Sequence, residues 1–270
     1  MPAVTPEPDW FFAVSRAADN ASWVIRESVA NCSRALEISS AMAGNDEVGT
    51  GWGKSYDDAI SDYILQVCRL ADAFGAIANR AFIAGLNHLN AEFVAGGKQG
   101  AHPTPPSKPT AVDQRVPFAA PPSAVGDNGP GLNTDIPGLL GAIGVAVPNA
   151  SPTKLAAAGE ALNALHSIIK DKSDDVLSAA STPPPDAGPD AALLHEEILT
   201  NLIAPAGRLH EDGVTLASAA TGFGASVVAR RNEIVSEINS LGVSVAITLT
   251  AGVLATLVTA GVSDVAAVGL

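Results

Sequence analysis

EVGTGWGKSYDD, residues 47–58, packs glycines, a tryptophan and the tripeptide Gly53-Lys54-Ser55 into one short stretch. A phosphate-binding loop needs Gly, four residues, then Gly-Lys-Ser/Thr, directly after a buried strand. Counted back from Gly53, the first glycine belongs where Val48 stands, and Gly49 is one residue too close. A loop one residue short cannot wrap its N–H groups around two phosphates in the same way. The preceding AMAGNDE, residues 41–47, is small and charged rather than apolar and β-branched, so no strand feeds the loop. The glycines therefore read as a break between two helices.

Both flanks carry helical patterning. Upstream, Pro8-Asp9 is a start signal with Asp9 as N-cap. Trp10, Val14, Ala17, Ala21, Val24, Ile25, Cys32, Leu36 and Ser39 recur at spacings of three and four or their multiples, which predicts a helix from Asp9 to about Ala43. Downstream, Ser55 as cap with Asp58 at N3 approaches a capping box. That helix runs on to Gly96-Gly97, about 40 residues or roughly 60 Å. The pair is expected to fold back as a long antiparallel hairpin over residues 1–97. With the turn centred on Val48–Thr50, Cys32 and Cys68 lie nearly level on facing helices. In an exported protein they form a disulfide if their Cα atoms come within about 7 Å. Otherwise they pack as small buried hydrophobes.

Residues 98–131 are rich in Pro, Gly and Ala with little periodicity and read as a linker. Residues 132–240 read as a second helical module. Ser151 is its candidate cap and Pro152 the first helical residue. TPPPDAGPD, residues 182–190, breaks the chain, and a long helix follows from about Pro189 to Leu241 with a kink at Pro205. Residues 241–270 form an apolar, Gly- and Ala-rich helical segment. Leu241–Ser263 carries no charge and is long enough to enter a membrane. Its weak flanks equally suit a buried helix or a helical hairpin bent at its glycines.

Composition narrows the function classes. Of the 270 residues 47% are apolar but only 4% aromatic, so small side chains must make the core, as closely packed helices allow. The formal net charge of −13 argues against electrostatic capture of nucleic acid or anionic lipid. Two cysteines make no disulfide scaffold and no metal-ligand spacing. MPAVTPEPDW lacks the basic and apolar regions of an ordinary signal peptide, so export would use another route.

No catalytic constellation emerges. HEEIL, residues 195–199, lacks the second His of a zinc motif, because position 199 is Leu. His195 and the His210-Glu211-Asp212 group read as polar helix faces, as does His88. His166 sits among apolar neighbours and reads as a hydrogen-bonded core histidine. There is no Gly-x-Ser-x-Gly elbow, and Cys68 has no neighbouring His to make it a thiolate. Catalytic, metal and cofactor residues are all expected to be absent.

The turn MAGNDEVGTGWGKSYDDA and the later GLNHLNAE resemble the WXG family of helical hairpins, small substrates of type VII secretion systems in Actinobacteria and related bacteria. Here Trp52 is followed directly by Gly53, one residue displaced from the family's Trp-x-Gly. Neither Tyr56 nor Tyr63 has the acid four places on that the family's Tyr-x-x-x-Asp/Glu signal requires. The second half resembles the WXG-like N-terminal domain of actinobacterial polymorphic toxins of the channel and necrotising type, through IPGLLGAIGVAVPNASPTKLAAAGEALNAL and ARRNEIVSEINSLGVSVAITLTAGVLATLVTAGVS. In such toxins a variable domain follows the apolar segment. The chain is then either the targeting half of a toxin or a toxin-less effector.

The resemblance implies an all-α protein of two WXG-like modules with four-helix-bundle packing. It implies a non-enzymatic, secreted or cell-surface targeting module. Expected partners are a small WXG-family protein or secretion chaperone and the export ATPase. Gly at the turn supplies positive φ, and Trp52 packs as a wedge over the hairpin end. Trp52, Gly53 and Tyr56 at the tip are the expected partner-binding residues. The alternative is a membrane-inserting or pore-forming protein acting through residues 241–263.

Overall fold

Helical periodicity becomes helix along most of the chain, and the fold is all-α. The computed structural model describes residues 7–97, 102–111, 118–129, 131–134, 147–185, 187–240 and 247–248. The helices are α1 (Glu7–Ile38), α2 (Glu47–Ala95), α3 (Pro152–Ala180), α4 (Gly188–Ile198) and α5 (Ala204–Ser240). A π-helical turn, Leu199–Ile203, joins α4 to α5. The described β-structure is one antiparallel pair, β1 (Asn133–Thr134) with β2 (Ile247–Thr248), and an isolated bridge between Gly44 and Val125.

The termini follow from local chemistry. Pro8 stands in the first turn of α1, where a missing N–H leaves no bond unmade. Asp9, expected as the cap, lies inside the helix instead. Ser151 caps α3: its carbonyl accepts the Leu155 N–H at 3.0 Å and its Oγ the Lys154 N–H at 3.4 Å. The break signalled by Pro205 takes the form of the π-turn. Pro205 cannot donate to a carbonyl four residues back, and just before it Ala204 donates five residues back to Leu199.

The chain packs as two units, each drawing on α1, α2, α3 and α5. The first comprises Met1–Ala30, Ile64–Phe118 and Leu165–Asp212. Phe11, Ile25, Ile64, Phe74, Leu165, Ile169, Ile198 and Leu202 are fully buried there. α1 and α2 run antiparallel at close range through small residues: Ser15 Oγ donates to Ala78 O at 2.8 Å and Ser22 Oγ to Ala71 O at 2.6 Å. Arg26 is buried and donates to Ala111 O at 2.8 Å and to Asp72 Oδ1 at 2.7 Å. Asp19 Oδ1 accepts the N–H groups of Thr110 and Ala111. Part of the expected linker is thereby tied to this unit.

The second unit comprises Asn31–Tyr63, Ala119–Ala164 and Gly213–Leu270. Ile60, Leu155, Leu162 and Ile234 are fully buried in it. Of the stripe read from sequence, Trp10, Val14, Ala21, Ile25, Cys32, Leu36 and Ser39 are buried, Ser39 just past the end of α1, while Ala17 and Val24 are half-buried.

Three expectations need correction. Cys32 and Cys68 are both buried and both free, so the disulfide is not formed. The α1–α2 register is the reason. From Ser22 opposite Ala71, three residues on along α1 and three back along α2 bring Ile25 opposite Cys68. Cys32 stands seven residues further along α1, roughly 10 Å of helix rise, beyond the reach of a disulfide. The turn was expected at Val48–Thr50, but α2 already begins at Glu47. Ile247–Thr248 of the apolar segment is strand rather than helix. The remainder of residues 241–270, with the membrane-insertion reading it carries, lies outside the described residues. Among the described residues no helix is long and apolar enough to cross a membrane.

Candidate functional site

The second unit contains the residues that the sequence singles out. α1 stops where Ala41 and Gly44 take positive φ values of 60° and 83°. Gly44 has no room for a side chain: a Cβ there would sit 2.2 Å from Asn149 Oδ1. The chain then turns into α2 through Asp46, whose Oδ1 accepts the Gly49 N–H at 3.0 Å while its carbonyl accepts that of Thr50 at 2.8 Å. Asp46 is therefore the N-cap, with Glu47 adding favourable charge in the first turn. The Ser55–Asp58 capping box is not used. Ser55 lies inside the helix, its Oγ donating back to Gly51 O at 3.4 Å.

GTGWG is thus helical, at an intrinsic cost of about 1 kcal/mol for each glycine. Close approach explains two of the three. A Cβ on Gly49 would meet Ala43 O at 2.0 Å, and one on Gly53 would meet Val125 Cγ2 at 2.7 Å and Ala43 Cβ at 3.0 Å. Gly49 and Gly53, one helical turn apart, form a bare strip against which the α1–α2 connection and residue 125 lie. Gly51 faces open space, and nothing in its surroundings explains it.

Trp52 projects beside that strip into an aromatic stack. Its ring lies 4.8 Å from Tyr56 at 19° and 4.5 Å from Phe223 of α5 at 8°. Trp52 is half-buried, while Tyr56 and Phe223 are buried. Burial raises the Tyr56 phenol well above its ordinary value, and the neighbouring Cys32 and Asp57 push the same way. Its hydroxyl has no hydrogen-bond partner among the described residues. Burial pushes the Cys32 thiol up to about 12. Both groups stay protonated and unreactive at neutral pH.

A polar cluster closes the same end. Asn149 donates from its backbone to Asp46 Oδ2 at 3.0 Å and from Nδ2 to Asn45 Oδ1 at 2.6 Å, and its Oδ1 accepts the Asn45 N–H at 2.9 Å. Lys154 Nζ donates to Ser40 O at 2.8 Å. Arg231 is buried and clamps the Pro148 and Ala150 carbonyls, reaching the latter at 2.6 Å. Burial lowers the guanidinium's proton affinity and Asp46 opposes that shift. Arginine remains charged throughout this range, so the clamp holds at any working pH.

The histidines lie in the first unit. His166 and His210 meet with their Nδ1 atoms 3.2 Å apart, and His210 Nδ1 also donates to His166 O at 3.1 Å. Burial lowers the His166 pKa, and the neighbouring His210 adds to the shift. His88 stacks on Phe11 at 4.8 Å. His195 is half-buried and donates from Nδ1 to the Ala180 carbonyl, the last of α3, at 2.9 Å. Among the described residues no group of three or more His, Cys, Asp or Glu side chains is placed to hold a metal ion.

Trp52, Gly53 and Tyr56, the residues singled out by the sequence, all lie near the start of α2. Phe223, Val125, Asp46, Asn149 and Arg231, which complete their surroundings, were not singled out by it. Asp46 had a usable signal, a capping residue three positions before a glycine-rich helix start. The others are separated from Trp52 by 70 residues or more along the chain. No protein-family model, curated protein or solved structure matches the chain.

Proposed function

We propose that the chain is a secretion-targeting and interaction module of the WXG-like kind, exported by a type VII route and non-catalytic in itself. In this reading α1 and α2 form a long helical hairpin, and the second half supplies further helices to a four-helix arrangement. The observation that carries it is the stack of Trp52 on Tyr56 and Phe223 beside the bare Gly49–Gly53 strip. The glycines weaken this helix start by propensity, and the half-buried Trp52 leaves part of its ring open to a partner at the same end.

Phe223 also suggests why one chain holds two modules. It places on Trp52 an apolar ring of the sort a separate partner helix would bring. Helix-on-helix recognition of a small WXG-family protein or a secretion chaperone, and of the export ATPase, is the expected mode. The test is co-expression of the full chain with the small WXG-family proteins and chaperones of its own host, followed by co-purification. The expected result is a stoichiometric complex that weakens about ten-fold or more in Trp52→Ala while helical content is kept. Full retention of the complex by Trp52→Ala, or no complex with any of them, contradicts the proposal.

A further inference from the structure

Residues 123–126, Ser-Ala-Val-Gly, lie in extended form along the α1–α2 connection. Ala41 N–H donates to Ser123 O at 3.0 Å, Ala43 N–H to Ala124 O at 2.7 Å, and Gly126 N–H to Gly44 O at 3.1 Å. Gly44 and Val125 form a parallel bridge. Asp57 on α2 grips the segment from the other side: its Oδ2 accepts Ser123 Oγ–H at 2.6 Å and its Oδ1 the Ala124 N–H at 2.7 Å. The fit is specific at each position. Ala124 is buried, Val125 Cγ2 lies over Gly53, and a Cβ on Gly126 would meet Ala41 Cβ at 2.4 Å.

We propose that Ala41–Gly44, with Asp57 and Gly53, is an acceptor edge for an extended peptide, and that residues 123–126 fill it as a displaceable strap. The occupant it fits is a partner's extended segment with two small residues, a β-branched residue and a glycine in sequence. Main-chain hydrogen bonds to the edge supply affinity, and the tight positions at 124 and 126 supply selection. The strap is suited to leave. Residues 123–126 are held mostly by backbone hydrogen bonds, Ser123 is exposed and Val125 half-buried, so their one fully buried side chain is an alanine methyl; just beyond them Asn128 Nδ2 donates to Ala41 O and Asp127 Oδ1 accepts from Asn149 Nδ2, which anchors the strap at its far end. Segments with so little apolar burial open at the low end of a protein's stability scale. While bound, the strap lies over Gly53, so an incoming segment must compete with a tethered copy of its own chemistry. The inference rests on the tip being the recognition end, and it adds what the tip recognises and how access is limited.

The test uses the full chain and a fluorescein-labelled peptide of residues 119–129, AAPPSAVGDNG, with anisotropy as the readout. Ala124→Asp puts a carboxylate where a methyl is buried and expels the strap while leaving the edge unaltered. The expected result is saturable peptide binding to Ala124→Asp, roughly ten-fold or more tighter than to the unaltered chain, and lost again in Asp57→Ala/Ala124→Asp. Hydrogen exchange should show residues 123–126 deprotected with α1 and α2 still protected. A strap deprotected in this way but no gain in peptide binding overturns the proposal, as does binding that ignores Asp57. Should Ala124→Asp unfold the unit, Ser123→Ala/Val125→Gly weakens the strap more gently and carries the same expectation. The assay contains no export component, so its failure leaves the secretion reading standing, and a failure of export leaves the edge standing.

Discussion

Trp52 and Phe223 lie face to face across more than half the chain's length, their ring centroids 4.5 Å apart and their planes 8° from parallel. The pair joins the start of α2 to the middle of α5 within one unit. Stacked aromatic pairs are worth about 0.5–1.5 kcal/mol beyond the area they bury. Trp52→Ala should therefore destabilise by about 2–4 kcal/mol, at or below the usual range for a buried tryptophan because the ring is half-buried. Denaturant unfolding of Trp52→Ala, Phe223→Ala and the double variant should give a coupling of about 1 kcal/mol. A coupling near zero would mean that the stack is not formed in solution.

Gly53→Ala sets two effects against each other. Alanine favours the helix by about 1 kcal/mol, but its methyl would sit 2.7 Å from Val125 Cγ2. The expected outcome is a helix at least as stable as before and a loosened residue 125, read as faster amide exchange at 124–126. Adding Val125→Ala removes the opposing methyl and should restore the exchange protection. Unchanged exchange in the single variant would place Val125 elsewhere.

The cysteines give a test of the register. With both thiols free and buried, and burial raising the pKa of each, native protein at pH 8 should react slowly with a thiol reagent. Denatured, unreduced protein should titrate two thiols. No titratable thiol after denaturation would restore the disulfide and overturn the α1–α2 register.

How far the chain can be read from sequence shows in these same residues. The stripe from Trp10 to Ser39 and the Ser151-Pro152 start are carried by neighbours within a turn or two, and the helices follow them. The disulfide expectation failed on the position of one turn. Glycines at 49, 51 and 53 signal a break by local propensity, yet Asp46 starts the helix ahead of them. The helix holds because Ala43 and Val125 pack where side chains would otherwise stand. Tertiary contact overrides propensity there, and no local signal near Gly53 points to residue 125 or 223. The polar cluster of Asp46, Asn149 and Arg231 was hidden for the same reason.

Histidine 166 predicts an acid-sensitive first unit. Its folded pKa is lowered by burial and by His210, so the unfolded chain binds more protons in the window from about pH 6.5 downwards. Stability from the neutral His166 ring is fully present above that value and is lost as pH falls through the lowered folded pKa. Thermal unfolding should show a lower Tm at pH 5 than at pH 7, and His166→Gln should reduce the difference. An equal or larger drop in His166→Gln would remove this pair as the cause.

Arg231 anchors the residues that lead into α3. Arg231→Met keeps much of the volume but leaves the Pro148 and Ala150 carbonyls without their donors. The loss should be about 2–4 kcal/mol, with the greatest gain in amide exchange at residues 149–155. A cost within about 0.5 kcal/mol, the range of an ordinary surface substitution, would show that the clamp does not form.

Export by a type VII route is tested by intact-protein mass spectrometry of culture supernatant from the native host, with and without a functional export ATPase. The expected result is this chain, or a longer product containing it, in the supernatant, and its disappearance when the ATPase is inactive. Retention in the cell fraction in both strains, or equal amounts outside the cell without the ATPase, would contradict it.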